Sequence, residues 1–531
     1  MADQYPSIFN DVIGPVMRGP SSSHSAASVR IGRMARDLMD GDLGEILIEF
    51  DPKGALATTH ASHGSDMGLF GGFLGWDALD ERLADSARAI QEAGIKVNIE
   101  ISDIGAKHPS TYKLTLKNST DWHEITAIST GGGMIEVIEI DGVGVSMVGD
   151  YYETLIYLDS SGDEVLKYLS RNVDADDVLF MTGTGTQFIE IKAQGFLAGK
   201  IVSRLHSEHE IRGIKNLSPV LPVLSRKGLE VPFITCEEML RYNEGRGLEL
   251  WELAVHYESA RGNVSHDEVF QRMQAIVRIM QQSILKGIEG TEYADRILGY
   301  QSGAFLAQME SNRLLDGGIL NQMILHVTAM MEVKSSMGVI VAAPTAGACG
   351  GLPGACIGAA SAMGLSLDDM TKAMLAAGLI GVFIAAHATF AAEVGGCQAE
   401  CGAGSGMAAA ALVTLAKGAT RQAIAAASMA LQNILGMICD PVANRVEAPC
   451  LGKNVMAASN ALACANMALA DFDPVIPLDE VIDTMDKVGK STPRELRCTA
   501  LGGLSITKTS KEIERRLKAI PALSPTSGGT T

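Results

Sequence analysis

The chain has 531 residues, of which 47% are hydrophobic and 20% charged, with a formal net charge of -19 and a pI near 5.1. That length suits two to four globular domains with a sizeable core. The acidic balance argues against the basic patch that a phosphate backbone requires, so nucleic acid is discarded as a partner.

Residues 1–11 contain acidic side chains and no basic segment leading into an apolar run, so no secretory signal is expected and the expected compartment is the cytoplasm. Runs at 45–50, 97–101, 112–116 and 135–140 read as strands, and Ala27, Ile31, Met34 and Leu38 recur at helical spacing, which predicts an α+β domain over residues 1–152. From 153 to 228 the order is a strand at 155–158, a helix at 163–170, strands at 178–181 and 188–192, a helix at 195–205 and a further strand. This βαββαβ order is that of a small ACT-like regulatory module. After Cys236 the aromatic and β-branched runs thin out while Ala, Gly, Met and Leu rise, so a mostly α-helical domain is expected over 236–520, followed by a Ser, Pro, Gly and Thr rich disordered tail at 521–531.

Two uncharged runs, 335–367 and 373–392, are long enough to span a bilayer. Both are dominated by Ala and Gly, and the first contains Pro344 and Pro353, so they are read as closely packed helical core and no membrane partner is expected.

Nine cysteines in a chain without a leader point to reduced thiols or metal ligands rather than to a disulfide framework. Three of them sit in Gly- or Pro-punctuated turns, at Gly396-Cys397-Gln398, Cys439-Asp440-Pro441 and Pro449-Cys450. Turns of this kind let thiolates converge from distant segments. The spacings are 42 residues (439 minus 397) and 11 (450 minus 439), which match neither zinc knuckles nor the closely spaced cysteines of ferredoxins. Any single buried cysteine is more often a small hydrophobe than a ligand. Cys401 forms C-x3-C with Cys397, but position 404 is Gly, so the radical-enzyme cluster motif is incomplete; Cys401, Cys349, Cys356 and Cys464 are read as core or supporting residues.

The same turns at similar spacings occur in iron-sulfur L-serine ammonia-lyases, also called L-serine dehydratases, and the chain resembles that family over most of its length. The resemblance is carried by Gly19-Pro20-Ser21-Ser22-Ser23-His24, His63-Gly64-Ser65-Asp66, His108-Pro109, the Gly131-Gly132-Gly133 turn with Met134-Ile135-Glu136, Pro344-Thr345-Ala346-Gly347, the three cysteine turns and Gly502-Gly503-Leu504. It implies a single-chain form with fused β-type and α-type domains, in which Cys397, Cys439 and Cys450 hold a 4Fe-4S cluster and one iron is left free of protein thiolate. Such an iron acts as a Lewis acid on the substrate hydroxyl. It further implies an oxygen-sensitive enzyme of amino-acid degradation and gluconeogenesis, a domain 1–152 related to allosteric substrate-binding domains, and a homodimer.

Backbone N–H groups of the Pro344, Thr345, Ala346, Gly347 turn suit a substrate carboxylate, and Ser21, Ser22, Ser23 and His24 form a second turn of the same physical type. By spacing alone both are ordinary helix caps. The resemblance places His63 and His108 in site motifs as candidate bases, since an imidazole near neutral pKa suits proton abstraction. Asn454 and Lys453, just after Cys450, are candidates for contact with substrate or cluster. The chain departs from the family at Met331-Glu332-Val333-Lys334, where Asn usually stands in place of the lysine, at Ala391-Ala392-Glu393-Val394, and at Asn444, where Gly is common; no cysteine follows Cys498. The expected activity is dehydration of L-serine, with L-threonine as a slower substrate. The alternatives are a lyase for another β-substituted amino acid, such as cysteine or a dicarboxylic hydroxy amino acid, and a non-catalytic amino-acid sensor.

Overall fold

In the computed structural model, which describes residues 5–159 and 162–518, alternating inward apolar residues build the amino-terminal half around two sheets. The tail expected at 521–531 lies outside the described residues. Short strand β1 (Val16–Met17) is followed by β2 (Glu45–Phe50), β3 (Lys96–Ile101), β4 (Thr111–Lys117), β5 (Trp122–Gly131), β6 (Met134–Ile140) and β7 (Val143–Met147). The last six form one sheet in the order β3-β2-β4-β5-β6-β7, with β2 and β3 parallel and the other pairs antiparallel. β5 is not expected from the sequence because its inward positions are His123, Ile125, Ala127 and Ser129, a weak apolar alternation. The helix Ala27–Leu38 lies on this sheet over β5 and β6, and its Ala27, Ile31, Met34 and Leu38 join Ile46, Ile48 and Leu114 in one core.

Four further strands, β8 (Tyr152–Leu158), β9 (Asp177–Thr182), β10 (Gln187–Ala193) and β11 (Ile211–Leu217), form an antiparallel sheet in the order β11-β8-β10-β9. Helix Asp163–Asn172 follows β8 and helix Gly199–Glu208 follows β10, which completes a βαββαβ unit. The second helix starts four residues later than its periodicity suggests, because Ala198 is still extended. Side chains alternate across each strand. Ile156, Leu158, Ile189 and Ile191 therefore pack on the unit's own helices, while Leu155, Tyr157, Phe188 and Leu217 join the core of the six-stranded sheet.

On that shared side Glu153 and Glu190 are both 1% exposed. Lys192 Nζ stands 3.8 Å from Glu153 and 3.4 Å from Glu190, yet neither oxygen of the Glu153 carboxylate has a hydrogen-bond partner. Burial raises the pKa of Glu153 well above its ordinary value, and the neighbouring Glu190 charge adds to the shift. The folded chain thus retains a proton that the unfolded chain releases near pH 4.5, and stability falls as pH rises through that window. Glu153→Gln is expected to raise stability at pH 8 by about 1–3 kcal/mol, the usual cost of an unsatisfied buried group, with little effect at pH 4. Paired thermal melts at the two pH values check this, and a variant that gains nothing at pH 8 contradicts it.

The carboxyl-terminal half is helical. Helices Gly351–Met363 and Cys401–Leu415 are buried almost all round, which accounts for their uncharged composition. Their small residues allow close approach: a Cβ on Gly354 would lie 2.5 Å from Val327 of helix Ile319–Ser335. The uncharged run 335–367 is not one helix, since it contains β12 (Ile340–Val341), a turn and a helix of 13 residues. Helix Leu367–His387 is long and apolar enough to cross a membrane by length and composition, and 78% of its apolar window is buried inside the protein.

The start of the chain packs with the helices, whereas the sequence places it in the α+β domain. Ile8, Phe9, Val12, Ile13 and Met17 belong to the helical core, and β1 pairs antiparallel with β12. The Glu258 carboxylate accepts hydrogen bonds from the Ser7 hydroxyl at 2.5 Å and the Ile8 N–H at 2.7 Å. This crossing fixes residues 21–24 against the helical half.

Candidate functional site

Four loops of the helical half bring the sulfur atoms together. Gly396 adopts φ 72°, and a Cβ there would sit 2.9 Å from the Met437 carbonyl, so only glycine lets the Cys397 turn lie against the segment leading to Cys439. Gln398 fastens this contact: its N–H donates to Met437 O at 3.0 Å, its Oε1 accepts the Gly436 N–H at 2.8 Å, and its Nε2 donates to Met485 O at 2.6 Å. Asp440 accepts the Leu504 N–H at 2.9 Å and pairs with Lys453 at 2.9 Å. Gly503, at φ 56°, leaves room for that carboxylate, which a Cβ would approach to 2.6 Å. The Gly502-Gly503-Leu504 motif thus supports the Cys439 turn.

Cys397, Glu400 and Cys439 each place one ligand atom within 4.8 Å of the others, a candidate metal site. Cys397, Cys401, Cys439 and Cys498 pack together in one buried cluster. The neighbouring Cys401 and Cys439 thiols hold the Cys397 thiol well below its ordinary pKa. Cys450, at the start of helix Cys450–Leu469, is buried beside them; burial and the Cys397 charge push its pKa up. The Cys397 and Cys439 turns share one buried region, and Asn454 links the start of the Cys450 helix to it, donating to Cys450 O at 2.8 Å and to Cys401 Sγ at 3.5 Å. Cys401 and Cys498 belong to the same group although the sequence expectation leaves them out. Cys401 lies one helical turn beyond Cys397, and Cys498 donates its N–H to Cys439 O at 3.0 Å. Cys349 lies beside Met331, and Cys356 and Cys464 pack in the helical core.

Side chains from the amino-terminal half close over this group. Ser22 Oγ accepts the Ala346 N–H at 3.1 Å, and Ser23 Oγ donates to Glu393 at 3.0 Å. His24 Nδ1 lies 3.0 Å from Ser21 and 3.1 Å from Ser23, its Nε2 lies 2.8 Å from Thr59, and burial lowers its pKa to about 3. His63 sits edge-on to His24 at 4.8 Å between ring centroids. It is fully buried, and neither of its ring nitrogens has a hydrogen-bond partner. Burial lowers its pKa well below the usual value, so the ring is neutral with an open lone pair. His108 accepts the Ser110 N–H at 3.2 Å, and burial lowers its pKa while the nearby Glu393 opposes the shift. Asn444 Nδ2 donates to Thr58 O at 2.6 Å and Arg445 Nη1 to Ser62 O at 3.2 Å, which ties the His63 loop to the segment between Cys439 and Cys450. At Gly131, with φ 107°, a Cβ would meet Ala391 N at 2.7 Å, so the triple-glycine turn lets the large sheet dock directly before Glu393.

The Pro344, Thr345, Ala346, Gly347 turn is occupied by the protein itself. Besides the Ala346 bond to Ser22, Thr345 Oγ1 donates to Glu400 at 2.7 Å and accepts the Ala348 N–H at 3.2 Å. Asn454 donates from Nδ2 to Gly347 O and Cys450 O, both at 2.8 Å, and accepts the Gly351 N–H at 2.8 Å. It is a clamp between this turn and the Cys450 helix. Burial and the Cys397 thiolate raise the Glu400 pKa to about 8. Lys334 is fully buried, donates to Val446 O, and acts electrostatically on His63, Glu400 and Cys450. Cys397 and Cys439, with Glu400, form a buried, cysteine-rich candidate metal site, and soft sulfur donors of this kind are compatible with an iron-sulfur cluster.

The family described as serine dehydratase alpha chain matches residues 245–505. The chain is 35% identical over 285 residues to the "Probable L-serine dehydratase, alpha chain" of Bacillus subtilis (strain 168), covering 54% of this chain and 95% of that protein. It is 39% identical over 153 residues to the "Probable L-serine dehydratase, beta chain" of the same organism, covering 29% and 68%. Over 495 residues it is 26% identical to the "L-serine dehydratase" of Streptomyces coelicolor, covering 92% and 96%.

Proposed function

Because this chain belongs to the serine dehydratase family, we propose that it is a 4Fe-4S-dependent L-serine ammonia-lyase, with L-threonine as a slower substrate, and that Cys397, Cys439 and Cys450 hold the cluster. The observation that carries this reading is the meeting of Cys397, Glu400 and Cys439 in one buried candidate metal site, with the loop of the buried, unpartnered His63 tied to the segment between Cys439 and Cys450. When bound, the cluster supplies a Lewis-acidic iron that eases the departure of hydroxide.

The protein's own side chains supply the rest. His63, neutral and with a free nitrogen, takes the α-proton, and His108, within the electrostatic reach of Glu393, is the second candidate base. Burial keeps bulk water away from the reacting carbon. Loss of the α-proton and the hydroxyl as water leaves 2-aminoacrylate, which tautomerises to the imine and takes up water to give pyruvate and ammonia. Asn454 holds the Cys450 helix and the Pro344–Gly347 turn in register, and Ser22 and Ser23 dock the amino-terminal half over the site.

In this reading residues 236–520 are the catalytic domain, residues 1–152 resemble an allosteric substrate-binding domain, and residues 153–228 are an ACT-like regulatory module, supported by their βαββαβ order. The enzyme is a cytoplasmic homodimer acting on a free amino acid, with no nucleic-acid or membrane partner. Protein purified without oxygen is expected to carry about four iron and four sulfide per chain and to release pyruvate from L-serine. Iron-free protein with full activity would overturn the mechanism.

A further inference from the structure

His63 and the thiols belong to different halves of the chain, so their relative placement depends on what joins the two. The backbone of His63 is fixed within its own half: its N–H donates to Thr59 O at 2.9 Å, and its carbonyl accepts the Ser25 hydroxyl at 3.1 Å. Its ring has no hydrogen-bond partner at either nitrogen. Where the ring lies relative to the helical half is therefore set by how residues 58–62 are seated on that half.

One amide makes that seat. Asn444 Nδ2 donates to Thr58 O at 2.6 Å and to Ser62 Oγ at 2.8 Å, and the Ser62 hydroxyl donates in turn to Thr59 O at 3.4 Å, so both ends of the turn leading to His63 hang on one side chain. The direction of the amide follows from its partners, since a carbonyl oxygen can only accept. Its Oδ1 is buried without a partner, so the donor end alone holds the side chain. Arg445 adds a bond from Nη1 to Ser62 O at 3.2 Å, but its other arm reaches the exposed Asp295, where an ion pair contributes little. The backbone supplies a second, independent sign. Ala443 and Asn444 adopt φ 51° and 55°, two successive left-handed residues on the segment between Cys439 and Cys450. That conformation is costly for a residue with a Cβ and free for glycine. A side chain standing there is explained by the two bonds that it makes across to the other half.

We propose that Asn444 is a positioning residue: its amide holds the His63 loop in register with the thiol-bearing segment, and so aims the base at the substrate. The consequence for catalysis rests on the dehydratase reading, whereas the tie itself is measurable without turnover.

Two variants test it in full-length protein purified without oxygen. Asn444→Gly relaxes the left-handed backbone and deletes the amide, while Asn444→Asp keeps the shape and replaces the donor by an acceptor that repels Thr58 O. The bonds from Thr58 Oγ1 to Thr499 O at 3.1 Å and from Ser22 and Ser23 to the helical half remain, so the two halves stay docked. Amide hydrogen exchange at residues 59–65, read by mass spectrometry, is expected to quicken ~10-fold in both variants while the rest of the protein is unchanged. With L-serine, kcat is expected to fall ~10-fold, because a small displacement of a reacting group is enough to slow the step. KM and iron content should hold, and the α-deuterium isotope effect on pyruvate formation should grow, which a merely structural residue would not bring about. Unchanged exchange at residues 59–65 overturns the assignment. So does faster exchange with normal kcat, and so does a fall in iron content or a rise in KM at constant kcat, since Asn444 then supports the thiols or touches the substrate instead. Should the unaltered protein form no pyruvate, the dehydratase reading is what fails, and the exchange comparison by itself decides whether Asn444 is the tie.

Discussion

Replacing Cys397, Cys439 or Cys450 singly by serine is expected to strip the iron and lower pyruvate formation at least ~100-fold, since loss of a ligand costs no less than loss of the residues that orient one. Serine conserves the size of the side chain but offers a hydroxyl that is not ionised at neutral pH, so a three-thiolate cluster loses one corner of its attachment. The informative comparison lies within the sulfur group itself. Cys401 and Cys498 pack in the same buried cluster as Cys397 and Cys439. If the trio is the ligand set, Cys401→Ser and Cys498→Ser keep most of their iron and activity. Iron and sulfide analysis on all five variants decides the matter. A Cys498→Ser protein as iron-poor as Cys450→Ser would mean that a different set of thiols holds the cluster.

The second large effect is expected at His63. Asparagine there preserves a polar side chain of similar size but cannot take a proton, so kcat should drop by ~10²–10⁴, the usual contribution of a positioned base. Iron content should not change, because His63 comes from the amino-terminal half while the thiols come from the helical half. Exchange of the α-proton of L-serine with D2O should slow in parallel, and that is the readout a merely structural histidine would not alter. His24→Asn provides the contrast. Its ring nitrogens are committed to Ser21, Ser23 and Thr59, so its loss should appear as a lower melting temperature and loosened docking rather than as a chemical defect. A His63→Asn enzyme within about threefold of normal activity would remove His63 as the base.

Much of this site is legible in the chain because its motifs answer to local constraints. Gly396 precedes Cys397 where the backbone needs a positive φ and has no space for a Cβ, and Gly503 stands where Asp440 must enter. Ala27, Ile31, Met34 and Leu38 announce their helix by spacing, and the βαββαβ order of residues 153–228 follows from strand-like and helix-like periods. Those features depend on neighbours in sequence. The weak alternation of His123, Ile125, Ala127 and Ser129 conceals β5, because sheet burial there is conferred by the strands on either side.

The amino-acid order by itself determined which residues have the chemistry: thiols in turns and histidines in short motifs. Only the tertiary structure decided which of them meet. It threads residues 8–17 into the helical core, sets Ser22 and Ser23 on Ala346 and Glu393, turns Asn454 into a clamp and brings Cys401 and Cys498 into the sulfur group. The physical reason is that a contact across hundreds of residues depends on which apolar faces are buried together, and that choice belongs to the whole core rather than to any local pattern.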